Sequence, residues 1–191
     1  MSAADTETTA TDTENIVCDK YGVNLKKHPI KDYYTIDFRI ANPTYDVSTI
    51  TTLKLYDLLF QLNTDVFEDM KILDEDDDEE EIILYFKPFG TGMGIKKKYL
   101  FLRTTLDDKS PKLQILANSV VASPQLVEGY DMMYNEFFIL DMDISNIHDV
   151  SFKCKFKISI TDDLPIFMGN LLGMLMKKMF LNLKQFIENI E

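Results

Sequence analysis

Between Ser151 and Ile160 apolar and polar residues alternate. Phe152, Cys154, Phe156, Ile158 and Ile160 fall on one side, and Ser151, Lys153, Lys155, Lys157 and Ser159 on the other. A period of two predicts a strand with one face in the interior and one in water. After a short acidic turn the period changes. Met168, Leu172, Leu175, Met179, Leu183, Phe186 and Ile190 recur at spacings of three and four, which predicts a long helix over Ile166 to Ile190 with a buried stripe. Asp162 and Asp163 put carboxylates near the dipole at its start, and Pro165 sits where a missing N–H costs little. Leu171, Met174, Met176, Phe180 and Leu181 widen the stripe over the first half, whereas Lys184, Gln185, Glu188 and Glu191 make the second half amphipathic. Gly169 and Gly173 each cost up to about 1 kcal/mol of helix propensity relative to alanine, so close packing or a bend is expected there. Met168, Met174, Met176 and Met179 supply flexible side chains that adapt to variable shapes. A plain C-terminal core helix fits the same periodicity. A membrane span does not, because Lys177 and Lys178 interrupt a run that would need about 20 nearly uncharged residues.

Upstream, Met1 to Asn15 is dominated by Thr, Ala, Asp and Glu and reads as a disordered acidic tail, leaving 16–191 as one domain. Strands are predicted at Tyr21 to Leu25 and Tyr33 to Ala41, joined around Pro29. Asn42-Pro43 breaks the second. From Asp46 the apolar spacing of Val47, Ile50, Leu53, Leu55, Leu58 and Leu59 predicts a helix or a pair of helices. Eight consecutive carboxylates follow, Asp74 to Glu81, without the glycine that a calcium loop uses for its turn; they read as a solvated, self-repelling loop. Strands resume at Ile82 to Lys87, Lys98 to Thr105, Leu113 to Val121 and Glu136 to Ile144, with Asp107 to Pro111 as a hairpin connection. The resulting class is α+β, with a curved antiparallel sheet wrapped around the C-terminal helix.

Composition narrows the function. The net charge of -12 excludes the basic footprint of a nucleic-acid-binding protein. The two histidines, His28 and His148, lack metal-ligand neighbours, and no phosphate-loop, dinucleotide, zinc or nucleophile-elbow pattern occurs, so neither a cofactor nor a catalytic constellation is expected. Cys18 and Cys154 read as two free thiols in a reducing compartment, and residues 1–15 lack the features of a secretory signal, which points to the cytoplasm. Between two strands, Pro88 to Ile95 carries three glycines together with Phe89, Met93 and Ile95, and Lys96, Lys97 and Lys98 come next. Apolar tips beside lysines suit transient insertion into a membrane interface, at about 1 kcal/mol per lysine on an anionic surface. The same segment also reads as a glycine hairpin whose phenylalanine folds back into the core.

Four stretches carry a resemblance to a known family. Tyr21-Gly22-Val23 with the strand at Tyr34 looks like an opening hairpin. Lys97 to Arg103 looks like a central strand, Ile115 to Val120 like the next, and Asp162-Asp163-Leu164-Pro165-Ile166-Phe167 like the turn into a last helix. Together they resemble the steroidogenic acute regulatory protein-related lipid-transfer (START) domain from about Tyr21 to Glu191. The departures are a missing tryptophan-aspartate pair, where this chain reads Asn63 to Phe67, and Lys97-Lys98 in place of an arginine-aspartate pair. Met1 to Asn15 also offers no counterpart of the family's N-terminal helix. The resemblance implies a helix-grip fold enclosing a hydrophobic cavity that holds one lipid: a phospholipid, sphingolipid or sterol. It also implies non-enzymatic transfer between membranes, with the protein only peripherally and transiently at their surface. On that reading Phe101, Arg103, Ser119, Phe156 and Ile158 line the cavity, Arg103 alternatively facing outward. Ile166, Phe167, Leu171, Leu172, Leu175 and Met179 form the lid, and Phe89, Met93, Ile95, Lys96 and Lys97 the membrane-contact loop. Two alternatives remain: a filled-core interaction module, and a helix-grip enzyme using Asp141 or Asp143 on an apolar small molecule.

Overall fold

The structure, a computed structural model, describes residues 13–76, 78–88, 97–120, 127–159 and 170–191. In chain order it runs β1 (Asn15–Lys20), β2 (Val23–Lys27), β3 (Tyr34–Ala41), a 3-10 turn (Val47–Ile50), α1 (Leu55–Leu62), β4 (Phe67–Glu75), β5 (Glu79–Phe86), β6 (Lys98–Lys109), β7 (Lys112–Ser119), β8 (Asp131–Met132), β9 (Tyr134–Asp143), β10 (Asp149–Ser159) and α2 (Leu171–Glu188). The sheet order is β1-β2-β3-β10-β9-β7-β6-β5-β4, antiparallel throughout, with the short β8 added in parallel to β6. β1 and β4 are the two edges, so the sheet curves without closing. α2 lies in its concave side against β2, β3 and α1. This is an α+β architecture with a curved antiparallel sheet around the C-terminal helix, as the periodicities predict, and matches the helix-grip fold that the resemblance implies.

Two strands differ from the sequence reading. Residues 1–12 of the acidic segment lie outside the described residues, but Asn15 already belongs to β1, and Glu14 accepts a 2.6 Å hydrogen bond from the Thr35 hydroxyl. Tyr21 and Gly22 are not strand but turn. Both have positive φ, 58° and 69°, the two-residue geometry whose twist matches a hairpin, and glycine takes the second position without strain. The acidic run is likewise not one loop: Asp74 and Glu75 end β4, and Glu79 to Glu81 begin β5. β4 escaped the pattern because it is a solvated edge strand, with little beyond Phe67 buried.

α2 is held from three directions. Phe180 packs on Phe38 at 5.0 Å between ring centroids, and Phe38 stacks on Phe152 of β10 at 4.8 Å. Asn42 clamps the helix end, its Nδ2 donating to the carbonyls of Ile187 and Ile190 at 2.8 Å each, which satisfies acceptors that the last turn leaves open. Asn182 donates to Asn63 Oδ1 at 2.8 Å and so ties α2 to the end of α1. The buried stripe is rotated from the predicted one. Phe186 is exposed, while Lys177 is buried and its ammonium donates to the hairpin carbonyls of Val23 (2.6 Å), Cys18 (3.3 Å) and Lys20 (3.4 Å). Gly173 meets β3 so closely that an added Cβ would lie 2.6 Å from the Tyr34 ring, which is the close packing expected of it. Gly169 lies outside the described residues.

Candidate functional site

Alternation along β5 and β6 sorts their side chains between two faces. Glu80, Ile82, Leu84 and Phe86 point to the concave side opposite Thr104, Leu102, Leu100 and Lys98. Glu81, Ile83 and Tyr85 point outward with Tyr99, Phe101 and Arg103. The concave residues, with α1 and the first half of α2 above them, enclose an apolar cavity. α1 contributes Tyr56 and Leu59, β4 Phe67, β5 Leu84 and Phe86, β6 Leu100 and Leu102, and β10 Ile158. Met133, Asn135 and Phe138 close one wall, and Leu172, Leu175, Met176 and Met179 of α2 form the roof. Among the described residues, Tyr56 and Asn135 are the only polar ones in this lining. The cavity measures about 50 Å³, room for a few water molecules. A larger concavity of about 780 Å³ lies on the outer face of β3, β10, β9 and β7. It is open to solvent and ringed by ion-paired side chains, among them Asp37, Arg39, Lys112 and Asp143.

The sequence-predicted residues distribute unevenly over this geometry. Ile158, Leu172, Leu175 and Met179 line the cavity. Phe156 is on the concave face but beside the cavity, stacked on Tyr34 at 5.5 Å. Leu171 opens α2 without reaching the lining. Ser119 ends β7 on the concave side, and its hydroxyl accepts from the Asn135 amide at 2.7 Å. Phe101 is on the convex face, buried in a second apolar cluster with Ile83, Tyr85, Tyr99 and Val127. Arg103 is on that face too, pairing with Glu79 at 3.1 Å and Glu81 at 2.6 Å. Neither reaches the cavity. Lys97 donates to Glu68 at 2.7 Å and stands over the Tyr130 ring. Asp141 and Asp143 accept from Gln114 and Lys112 on the convex face, so neither is the interior carboxylate an enzyme would use. Ile166, Phe167, Phe89, Met93, Ile95 and Lys96 lie outside the described residues.

Three residues with interior polar groups are not among the sequence-predicted site residues: Tyr56, Asn135 and Glu80, the last expected in a solvated acidic loop. Tyr56 is buried, and burial, with Cys154 and Glu80 nearby, pushes its phenol well above the ordinary value. Glu80 is raised to about 7, first by burial and then by the charges of Asp57 and Glu75. The Cys154 thiol is likewise raised by burial, which makes it an inert core residue. Among the described residues no group of His, Cys, Asp and Glu is arranged to hold a metal.

A sheet that wraps one helix over an apolar interior is similar to solved structures. The human StarD13 (DLC2) lipid transfer and protein localization domain superposes with a TM-score of 0.75 at 10% identity, over 94% of this chain and 91% of that one. The fold is START-like. Human StAR-related lipid transfer protein 5 also gives 0.75, at 12% identity over 94% of this chain and 88% of that one. A StAR-related lipid transfer protein from Xanthomonas axonopodis gives 0.62 at 14% identity, over 91% and 96%. No family model matches the sequence, and no curated protein does. In START-like terms the cavity roof is the first half of α2 and its walls are β5, β6 and β9.

Proposed function

We propose that this START-like protein binds one lipid between α2 and the sheet and carries it between membranes without catalysis. The observation that carries the reading is the lining itself. All its members but Tyr56 and Asn135 are aliphatic, aromatic or methionine side chains, drawn from five strands and both helices onto one enclosed space. Each methylene moved into such a lining from water contributes roughly 0.8 kcal/mol. The structural neighbours that carry "lipid transfer" in their names support the same reading. No helix among the described residues is long and apolar enough to cross a membrane, so contact with the bilayer would be peripheral. The strand ends at Phe86, Lys98, Ser119, Tyr134 and Ser159 gather at one end of the barrel-like sheet, beside the start of α2. The segment 88–95 is assigned here to membrane contact because Phe86 and Lys98, which flank it in the chain, are at that end. The acidic turn between β4 and β5 is at the other end, about 20 Å away along β5, where it does not oppose an anionic surface.

The present cavity volume of about 50 Å³ favours a second reading, an interaction module whose interior is filled by its own side chains. A lipid site needs several hundred Å³, so loading requires the roof to lift or its methionines to repack. Native mass spectrometry of the purified protein, before and after incubation with mixed liposomes, separates the two. One lipid per chain establishes the carrier, and solvent extraction then names its class. A protein that stays empty throughout establishes the filled module.

A further inference from the structure

Four buried side-chain atoms lack any hydrogen-bond partner among the described residues, and three belong to Tyr56 (Oη), Glu80 (Oε2) and Asn135 (Oδ1). These residues are only 8%, 5% and 2% exposed. An orphaned polar atom so deeply buried is uncommon, because each loses its water without replacement. Tyr56 and Asn135 line the cavity, and Glu80 stands two concave positions beyond Leu84 on β5, within electrostatic reach of Tyr56. The orientation of Asn135 is fixed, since its Nδ2 donates to the carbonyl of Ala117 at 2.7 Å and leaves Oδ1 as the open acceptor. The set is therefore an amide oxygen that only accepts, a carboxyl and a phenol. A hydroxyl group, which both donates and accepts, complements all three.

The surroundings are hostile to a phosphate. Glu80 already lies in the field of Asp57 and Glu75. The two buried lysines are engaged elsewhere, Lys98 with Asp131 at 3.6 Å and Lys177 on the hairpin carbonyls. A phosphodiester drawn into this interior would lose its hydration and meet carboxylates instead of cations. We propose that the ligand is a neutral lipid with a free hydroxyl group, held by that hydroxyl against Tyr56, Glu80 and Asn135, and that phospholipids are excluded. This rests on the lipid-carrier reading and specifies its ligand class.

The test loads the full chain with cholesterol, cholesteryl methyl ether, dioleoylglycerol, dioleoylphosphatidylcholine or dioleoylphosphatidic acid, and compares Tyr56→Phe and Glu80→Met with the wild type. At least one of cholesterol and dioleoylglycerol is expected to bind, which distinguishes a sterol source from a glyceride source of the hydroxyl. Each substitution should weaken that lipid about tenfold, the loss of one buried hydrogen bond. If cholesterol is the one that binds, its methyl ether, which keeps the acceptor oxygen but has no proton to give Asn135 Oδ1, should be weaker by a similar factor. The melting temperature of the empty variants should be unchanged or higher, which separates a lost ligand contact from a damaged fold. Preference for phosphatidylcholine or phosphatidic acid, or neutral-lipid binding that ignores both substitutions, overturns this inference and leaves the carrier standing. No binding by any of the five overturns both.

Discussion

Tyr56→Phe removes a desolvated hydroxyl that has no partner and keeps the ring that packs 6.4 Å from Phe138. The substitution is therefore expected to stabilise the empty protein, by about 1 kcal/mol, read as a higher urea midpoint at unchanged slope. Glu80 gives a signature in pH instead. Its carboxyl titrates near 7 in the fold against an ordinary value of 4.5. Below 4.5 it is protonated in both states and contributes nothing. Between the two values the unfolded chain releases the proton that the folded chain keeps, so stability falls as pH rises, at most about 1.4 kcal/mol per pH unit. Above about 7 the penalty is complete. Glu80→Gln should remove that slope, and urea titrations of wild type and variant from pH 4 to 8 measure the difference. Identical profiles would mean that Glu80 ionises freely despite Asp57, Glu75 and its burial. The same residues mark how far the sequence could be read. Period two along β6 allows either Leu100 and Leu102 or Phe101 and Arg103 to face inward. The structure places the arginine outward, where Glu79 and Glu81 flank it. Glu80 is hidden by its neighbours. In a run of eight acids nothing distinguishes the one whose parity turns it inward except the register of Ile82 behind it.

At the level of elements, α2 was legible as a long helix with an apolar stripe, since its period persists over many turns. Which side faced the sheet was not legible, because the burial of Lys177 depends on carbonyls contributed by a hairpin far upstream. Lys177→Met keeps the length and apolar stem but leaves those carbonyls without the ammonium. A loss of about 2 kcal/mol is expected, in the range for hydrogen bonds to a charged group, with the β1–β2 hairpin exchanging its amide protons faster. Gly173→Ala sets two effects against each other. Alanine gains up to about 1 kcal/mol of helix propensity, whereas its Cβ at 2.6 Å from Tyr34 must displace a ring that stacks on Phe156, at a typical overpacking cost of about 1–3 kcal/mol. Overpacking wins, and chemical denaturation should show a net loss. Edge strands β1 and β4 were the least legible elements. One face of each is open to water and the other is only partly covered, so the alternation that announces a central strand is diluted.

Across the whole molecule the two ends of α2 are secured differently, and this bears on how a lipid could enter. The C-terminal half has Leu183 and Ile187 fully buried, Asn42 on the last carbonyls and Asn182 on Asn63. The N-terminal half covers the cavity with Leu172, Leu175, Met176 and Met179, and Met174 is exposed. Its polar attachments are the Tyr34–Asn170 hydrogen bond at 3.3 Å, the buried Lys177 and the Lys178–Asp65 ion pair. Opening is expected to proceed by lifting of the first turns about a fixed C-terminal half. Amide hydrogen exchange should therefore be faster over Leu172 to Leu175 than over Leu183 to Ile187 in the empty protein, and faster still with vesicles present. Lipid at about 100 times its dissociation constant should add about 2.7 kcal/mol of stability and slow the first turns most, since they gain the new contacts. A filled interaction module has no such reason to differ: its two helix halves would exchange at rates set by burial alone, unmoved by vesicles or lipid. Uniform, lipid-independent protection along α2 would thus remove the lifting roof and, with an interior of about 50 Å³, the carrier with it.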